Sequence, residues 1–199
     1  ITILAKVNGK CTTDHISPAG YWLRYRGHID NISDNLLLGA SNSFTKNIGT
    51  GINNLTNDIG KFAEIARSYK SHDIPWLIIG DHNYGEGSSR EHAAMSPRHL
   101  GCVAVIAKSF ARIHETNLKK QGVLALTFND ETDYDKIKQF DQITIKDLNN
   151  FSENKTLVGI INHEDDTSEE IILIHSYNNS QIEWFKQGSA LNVLRSRIS

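Results

Sequence analysis

At 199 residues and 22.3 kDa the chain is long enough for one domain with a real core and short for two, so a single domain over 1–199 is expected. Apolar residues make up 39% and charged ones 22%, and 21 Lys and Arg against 23 Asp and Glu leave a net charge of -2, which argues against a disordered chain or a basic nucleic-acid binder. The two cysteines, Cys11 and Cys102, form no CxxC pair and cannot close a zinc or iron–sulfur site alone, and without a disulfide framework a reducing compartment is expected. The longest apolar runs, such as Trp76 to Ile79 and Ile171 to Ile174, fall far short of the roughly 20 residues of a membrane helix, so a soluble protein is expected. The chain starts at Ile1 with neither an apolar signal core nor an Arg-rich presequence, as expected of a trimmed or processed polypeptide.

In chain order, Ile1 to Val7 alternates like a half-buried strand and is followed by a turn-rich stretch from Asn8 to Gly20. From Ala40 to Gly60 the composition shifts to Asn, Gly, Ser and Thr, which predicts a long exposed loop and the least core-like part of the chain. Apolar residues at helical spacing predict a helix from Ile59 to Tyr69, and the run Trp76 to Ile79 predicts a buried strand. A helix from Ser88 to Leu100, a strand from Val103 to Ala107, a helix through Ile113 and Leu118 ended by Gly122, and a strand from Val123 to Phe128 complete an α/β alternation. The remainder predicts strands at 143–145, 157–161 and 170–175, then one amphipathic helix from Gln181 to about Ile198. No repeat, low-complexity tract or linker interrupts the chain.

The densest chemistry lies in Gly80-Asp81-His82-Asn83-Tyr84-Gly85-Glu86-Gly87-Ser88-Ser89-Arg90-Glu91-His92, between a predicted strand and a predicted helix. Glycines there let the backbone approach a ligand, and the first amides of a helix present unpaired N–H groups and a positive dipole end, which suits a carboxylate or phosphate. Ser88 and Ser89 add hydroxyls, and Arg90 adds a fork matched to a planar carboxylate. The same residues can be read structurally, with Ser88 as N-cap, Glu91 completing a capping box and Arg90 in solvent. The two readings are compatible, and a glycine–serine turn does not separate them. A second polar cluster, Cys11 to Gly20, carries Thr13, Asp14 and His15, and Arg26 follows; an Asx turn and a surface ion pair are the plain alternatives. Nine histidines include no HxxxH or HxH pair, so no metal held by this chain is expected.

Four segments carry a family resemblance: Lys10-Cys11-Thr12-Thr13-Asp14-His15-Ile16-Ser17, Arg26-Gly27-His28-Ile29-Asp30-Asn31-Ile32-Ser33, Asn83 to Ala94, and Lys108 to Gly122. Together, in order and over nearly the whole chain, they resemble the C-terminal domain of mitochondrial-type aconitases. The resemblance implies the swivelling β/β/α fold, an α/β domain that follows three others. Those domains hold three cysteines and a 4Fe–4S cluster, so this chain would hold no cofactor. It implies a dehydration and rehydration that interconverts citrate and isocitrate through cis-aconitate, in the mitochondrial matrix or, for a bacterial protein, the cytoplasm. The implied partners are that substrate and the other three domains of a monomeric enzyme, with no nucleic acid and no membrane.

Carried over by position, the resemblance makes Ser88 the base that removes the proton next to a carboxylate. Arg26, Ser89 and Arg90 bind substrate, and Thr13 and Asp14 line the same cleft. Two departures stand out: His82 occupies a position where an acidic residue is expected, and 40–60 varies freely. A small subunit of a related hydro-lyase such as isopropylmalate isomerase shares the glycine–serine turn, but the longer segments at 12–17 and 26–33 favour aconitase. An RNA-binding regulator of the iron-responsive type shares the four-domain plan, and the near-neutral charge argues against it.

Overall fold

The computed structural model describes residues 1–198. Its centre is a closed barrel in which β1 (Thr2–Lys6), β4 (Trp76–Gly80), β5 (Cys102–Ala107) and β6 (Leu124–Phe128) run parallel. The unbroken apolar run of β4 follows from that position, since it is buried along its whole length; β1, whose alternation predicts a half-buried strand, is buried throughout as well, with Lys6 satisfied by the Ile137 carbonyl. The sheet continues antiparallel through β9 (Ser168–Ile174), β8 (Leu157–Asn162) and β7 (Gln142–Ile145). β7 returns to β1, where Thr2 faces Gln142 and the Ile143 amide donates to the Ile1 carbonyl at 2.9 Å. Closure leaves the main sheet without a free edge.

Helices α3 (Phe62–Ser71), α4 (His92–His99) and α5 (Arg112–Lys120) are the crossovers between the parallel strands, and a short α6 (Asp133–Lys136) leads into β7. The core includes Tyr69, Trp76, Tyr84 and Tyr177, each all but inaccessible, and the Trp76 indole N–H is satisfied by the Leu100 carbonyl at 2.9 Å. Two short helices follow β1: α1 (Thr13–Ile16) orders part of the stretch 8–20 that the sequence presents as turns, and α2 (Ile29–Ile32) lies beyond it.

The alternation of strands and helices, the α/β class and the strand-rich second half are as expected, with local differences. Ile59–Lys61 is a strand, β3, paired antiparallel with β2 (Thr50–Ile52), and the helix begins only at Phe62. The stretch from 40 to 60 is therefore anchored rather than a free loop. Ala40 and Asn42 are buried, the Gly49 amide donates to the Ala40 carbonyl at 3.0 Å, and the Asn42 side-chain amide donates to the Thr50 carbonyl at 3.0 Å, so polar side chains add to backbone pairing there. The terminal helix is two, α7 (Asn179–Lys186) and α8 (Ala190–Ile198), because Gly188 takes φ +86° and ends the first.

At the β8–β9 turn, His163 is clamped between Asp141, at 2.9 Å from Nδ1, and Glu169, at 3.2 Å from Nε2. The bond to the buried Asp141 is the largest influence and, with Glu169, raises the imidazole pKa above its ordinary value against the cost of desolvation. A raised folded-state pKa contributes stability that is complete below the ordinary imidazole value of about 6.5 and is lost as pH climbs through the folded value. Thermal melts of the protein should therefore show the melting temperature falling as pH rises above about 6.5. His163→Gln should flatten that slope, and an unchanged slope would remove His163 as its source.

Candidate active site

Because β1 and β4 are parallel neighbours, the loops leaving their C-terminal ends, 7–12 into α1 and 81–91 into α4, lie side by side. They are stitched together residue by residue. The Gly85 amide donates to the Cys11 carbonyl at 2.8 Å and the Thr13 amide to the Glu86 carbonyl at 2.8 Å. The Thr13 hydroxyl then donates to the Ser88 carbonyl at 2.9 Å. At the tip, the Arg90 guanidinium meets the Asp14 carboxylate at 2.6 Å and donates to the Ser17 carbonyl at 3.2 Å.

Gly85 lies at φ +82°, and a Cβ on it would sit 2.2 Å from the ring of His114, so the loop rests directly on that imidazole. Burial without a partner for either ring nitrogen pushes the His114 pKa down to about 4. His114 is thus an uncharged ring under the glycines, packed 5.5 Å from the ring of Tyr84.

Arg26, Ser88, Ser89 and Arg90 line one cavity of about 470 Å³, with Leu23 and Ile32 among the apolar parts of its wall. Arg26 reaches it from the end of a 3₁₀ turn, 20–25, and its backbone is tied to the site because the Arg26 carbonyl lies 3.1 Å from Nε2 of His92, at the start of α4. Among the described residues no carboxylate pairs with Arg26, so its guanidinium is available to a ligand. The Ser88 hydroxyl is 3.4 Å from Nε of Arg90.

Ser88 is not the helix cap that its spacing predicts. α4 starts at His92, after a helical Glu91 with no capping side chain, because the residues before it are committed to the neighbouring loop through the Thr12–Glu86 bridge. The capping box is therefore absent, and Glu91 and His92, at the start of α4, form part of the cavity wall. Neither Thr13 nor Asp14 lines that cavity: Thr13 lines an adjoining one of about 320 Å³ with Ser88, Ser89 and Arg90 and binds the Ser88 carbonyl, while the exposed Asp14 holds Arg90. His82 points elsewhere, with Nε2 3.5 Å from Glu131.

Asp81, which stands in the glycine-rich stretch without a role assigned from the sequence, fastens one of the two loops to the other, and His114 is not singled out by the sequence at all. The only hint of His114 in the sequence is a histidine on the apolar side of a helix. The described residues include no cluster of His, Cys, Asp and Glu able to hold a metal, and both thiols are buried and pushed up to about 12 by desolvation. Cys11 and Cys102 therefore do not fit as thiolate ligands of an iron–sulfur cluster.

Residues 1–131 match the aconitase C-terminal domain. This chain belongs to the aconitase family. The aconitase domain is 54% identical to a mitochondrial aconitate hydratase of Gracilaria gracilis and 55% to a probable one of Dictyostelium discoideum, over 97% and 98% of its length. Saccharomyces cerevisiae mitochondrial aconitate hydratase is 50% identical over 98%. It spans about a quarter of each relative, 25% in all three. Among solved structures, a 3-isopropylmalate dehydratase from Methanocaldococcus jannaschii superposes with a TM-score of 0.60 at 22% identity, covering 98% of this chain and 92% of the other, and shows the same fold.

Proposed function

We propose that residues 1–199 form one C-terminal swivel domain of a mitochondrial-matrix aconitate hydratase, which interconverts citrate and isocitrate through cis-aconitate. The observation that carries this reading is the meeting of Arg26 with Ser88, Ser89 and Arg90 in one cavity, from two distant segments of the chain. Ser88 is the base. Its hydroxyl is a weak one unless the alkoxide is stabilised, and the Arg90 guanidinium at 3.4 Å supplies positive charge where that anion forms. Ser88 Oγ then takes the proton from the carbon next to a carboxylate and returns a proton on rehydration.

Arg26 and Arg90, with the Ser89 hydroxyl, bind substrate carboxylates and fix the carbon acid against Ser88. Asp14 limits Arg90 to one orientation through their ion pair, and Thr13 holds the backbone of Ser88. An iron–sulfur cluster, bound by the rest of the parent polypeptide, would supply the Lewis acidity that the departing hydroxyl requires. This domain contributes the base and the carboxylate clamp.

The test is to assay the parent polypeptide and this chain alone with citrate, isocitrate and cis-aconitate, following the ultraviolet absorbance of the conjugated acid. The parent should interconvert all three, while the isolated chain folds and turns over none. Steady turnover by the isolated, cluster-free chain would overturn the division of labour. A parent that accepts only alkyl-substituted malates would place it with the isopropylmalate enzymes instead.

A further inference from the structure

One carboxylate anchors both site-bearing loops at their root. Asp81 directly follows β4, and its Oδ2 accepts the Gly9 amide of the neighbouring loop at 2.8 Å. Its Oδ1 accepts the His82 amide at 2.9 Å and pairs with the Lys108 ammonium, just beyond β5, at 3.0 Å. Asp81 is 8% exposed. Burial alone would raise its pKa, but the bonds from Gly9, Lys108 and His82 outweigh it and hold the carboxyl below the ordinary range, so it is an anion at neutral pH.

The support beneath it is equally built. Lys108 Nζ and Lys6 Nζ each stand 4.2 Å from the centre of the Tyr134 ring. Lys6 is itself buried and donates to the Ile137 carbonyl at 2.9 Å, and the Tyr134 hydroxyl donates to the Val7 carbonyl at 2.7 Å. The ends of β1, β4 and β5 are thus joined through one anion, two cations and one ring. Above this root come the rungs already described, through Cys11 and Gly85, Thr13 and Glu86, Thr13 and Ser88, to Asp14 and Arg90 at the cavity.

We infer that Asp81 is a positioning residue for the reaction: by holding the Gly9 amide and the Lys108 ammonium together it sets the register between the two loops, and so the placement of Ser88 and Arg90 against the substrate. The inference rests on the function proposed above. Asp81 does not line the cavity, so its effect passes through the ladder. An amide in its place would keep the shape but turn one polar atom into a donor facing either a backbone N–H or an ammonium, and the ladder would slip at its base.

The experiment compares Asp81→Asn, Asp81→Glu and Lys108→Met in the full-length parent, with Ser88→Ala alongside. A displacement on the scale of an ångström lowers turnover by about 10- to 100-fold, so Asp81→Asn should lower kcat per folded molecule by that much with little change in KM or cluster absorbance. Hydrogen exchange at the Gly9 amide should quicken in the same variant, and Asp81→Glu should recover part of kcat. Lys108→Met should reproduce the loss, and combining it with Asp81→Asn should add little, as expected of two members of one unit. Unchanged kcat despite faster exchange at Gly9, or a loss that only follows the folded fraction, would overturn the positioning role. Full activity in Ser88→Ala would remove the function on which it rests, whereas an inactive Ser88→Ala beside a fully active Asp81→Asn would remove the positioning role alone.

Discussion

Ser88→Ala in the parent enzyme should abolish nearly all turnover while substrate still binds and the fold persists. A positioned base contributes about 10²- to 10⁴-fold, and here the lost group is the acceptor of the transferred proton rather than a contact made equally by substrate and transition state. The structure sharpens this expectation. Ser88 does not cap α4, which begins at His92, so removing its hydroxyl takes no hydrogen bond from the helix end. The backbone of Ser88 keeps its own anchor, the Thr13 hydroxyl on its carbonyl at 2.9 Å, and that bond is untouched by the substitution. The melting temperature should accordingly stay close to that of the parent protein. Activity per folded molecule that equalled the parent's would show Ser88 to be an ordinary loop residue, and kcat measured with thermal melts on the same preparation decides the matter.

The second large effect concerns the arginines. Arg26→Lys and Arg90→Lys keep the charge but lose the two-pronged donor geometry, and each charge-assisted hydrogen bond lost costs roughly 1.5 to 3 kcal/mol, or about ten- to a hundredfold in kcat/KM. The two should differ in kind. Arg26 has no carboxylate partner among the described residues, so its loss is a loss of substrate binding and should appear mainly in KM. Arg90 is held by Asp14 at 2.6 Å and stands 3.4 Å from the Ser88 hydroxyl, so its replacement should depress kcat as well. Steady-state kinetics on both variants provide the check. Equal KM and kcat in all three proteins would dissolve the clamp.

Much of this is legible in the sequence. The buried strands at 76–80 and 102–107 announce themselves as unbroken apolar runs, because a parallel strand covered on both faces has no polar side to show. The segments holding Thr13, Asp14, Arg26, Ser88, Ser89 and Arg90 are equally visible, because backbone turns and polar side chains concentrate where chemistry needs close approach. The helix α4 starts four residues after the Ser88 at which the sequence predicts it, since a Ser-x-x-Glu pattern looks the same whether the chain there coils or lies against another loop. The single terminal helix was likewise an apolar periodicity running across Gly188, where a positive φ breaks it.

The sequence by itself determined the class of fold, the alternation of its main strands and crossover helices and which residue types are collected at the two loops, because period and composition are local properties of the chain. It could not determine that Ile143 closes a barrel onto Ile1, that His114 lies beneath Gly85, or that Asp81 receives the amide of Gly9. Those contacts join residues far apart in the chain, and their energies exist only once the strands have brought them within hydrogen-bonding or van der Waals distance. The convergence of Arg26 on Ser88 and Arg90 is of the same kind: each loop carries its own chemistry, and only the parallel pairing of β1 with β4, together with the packing of 20–32 against α4, makes one cavity of them.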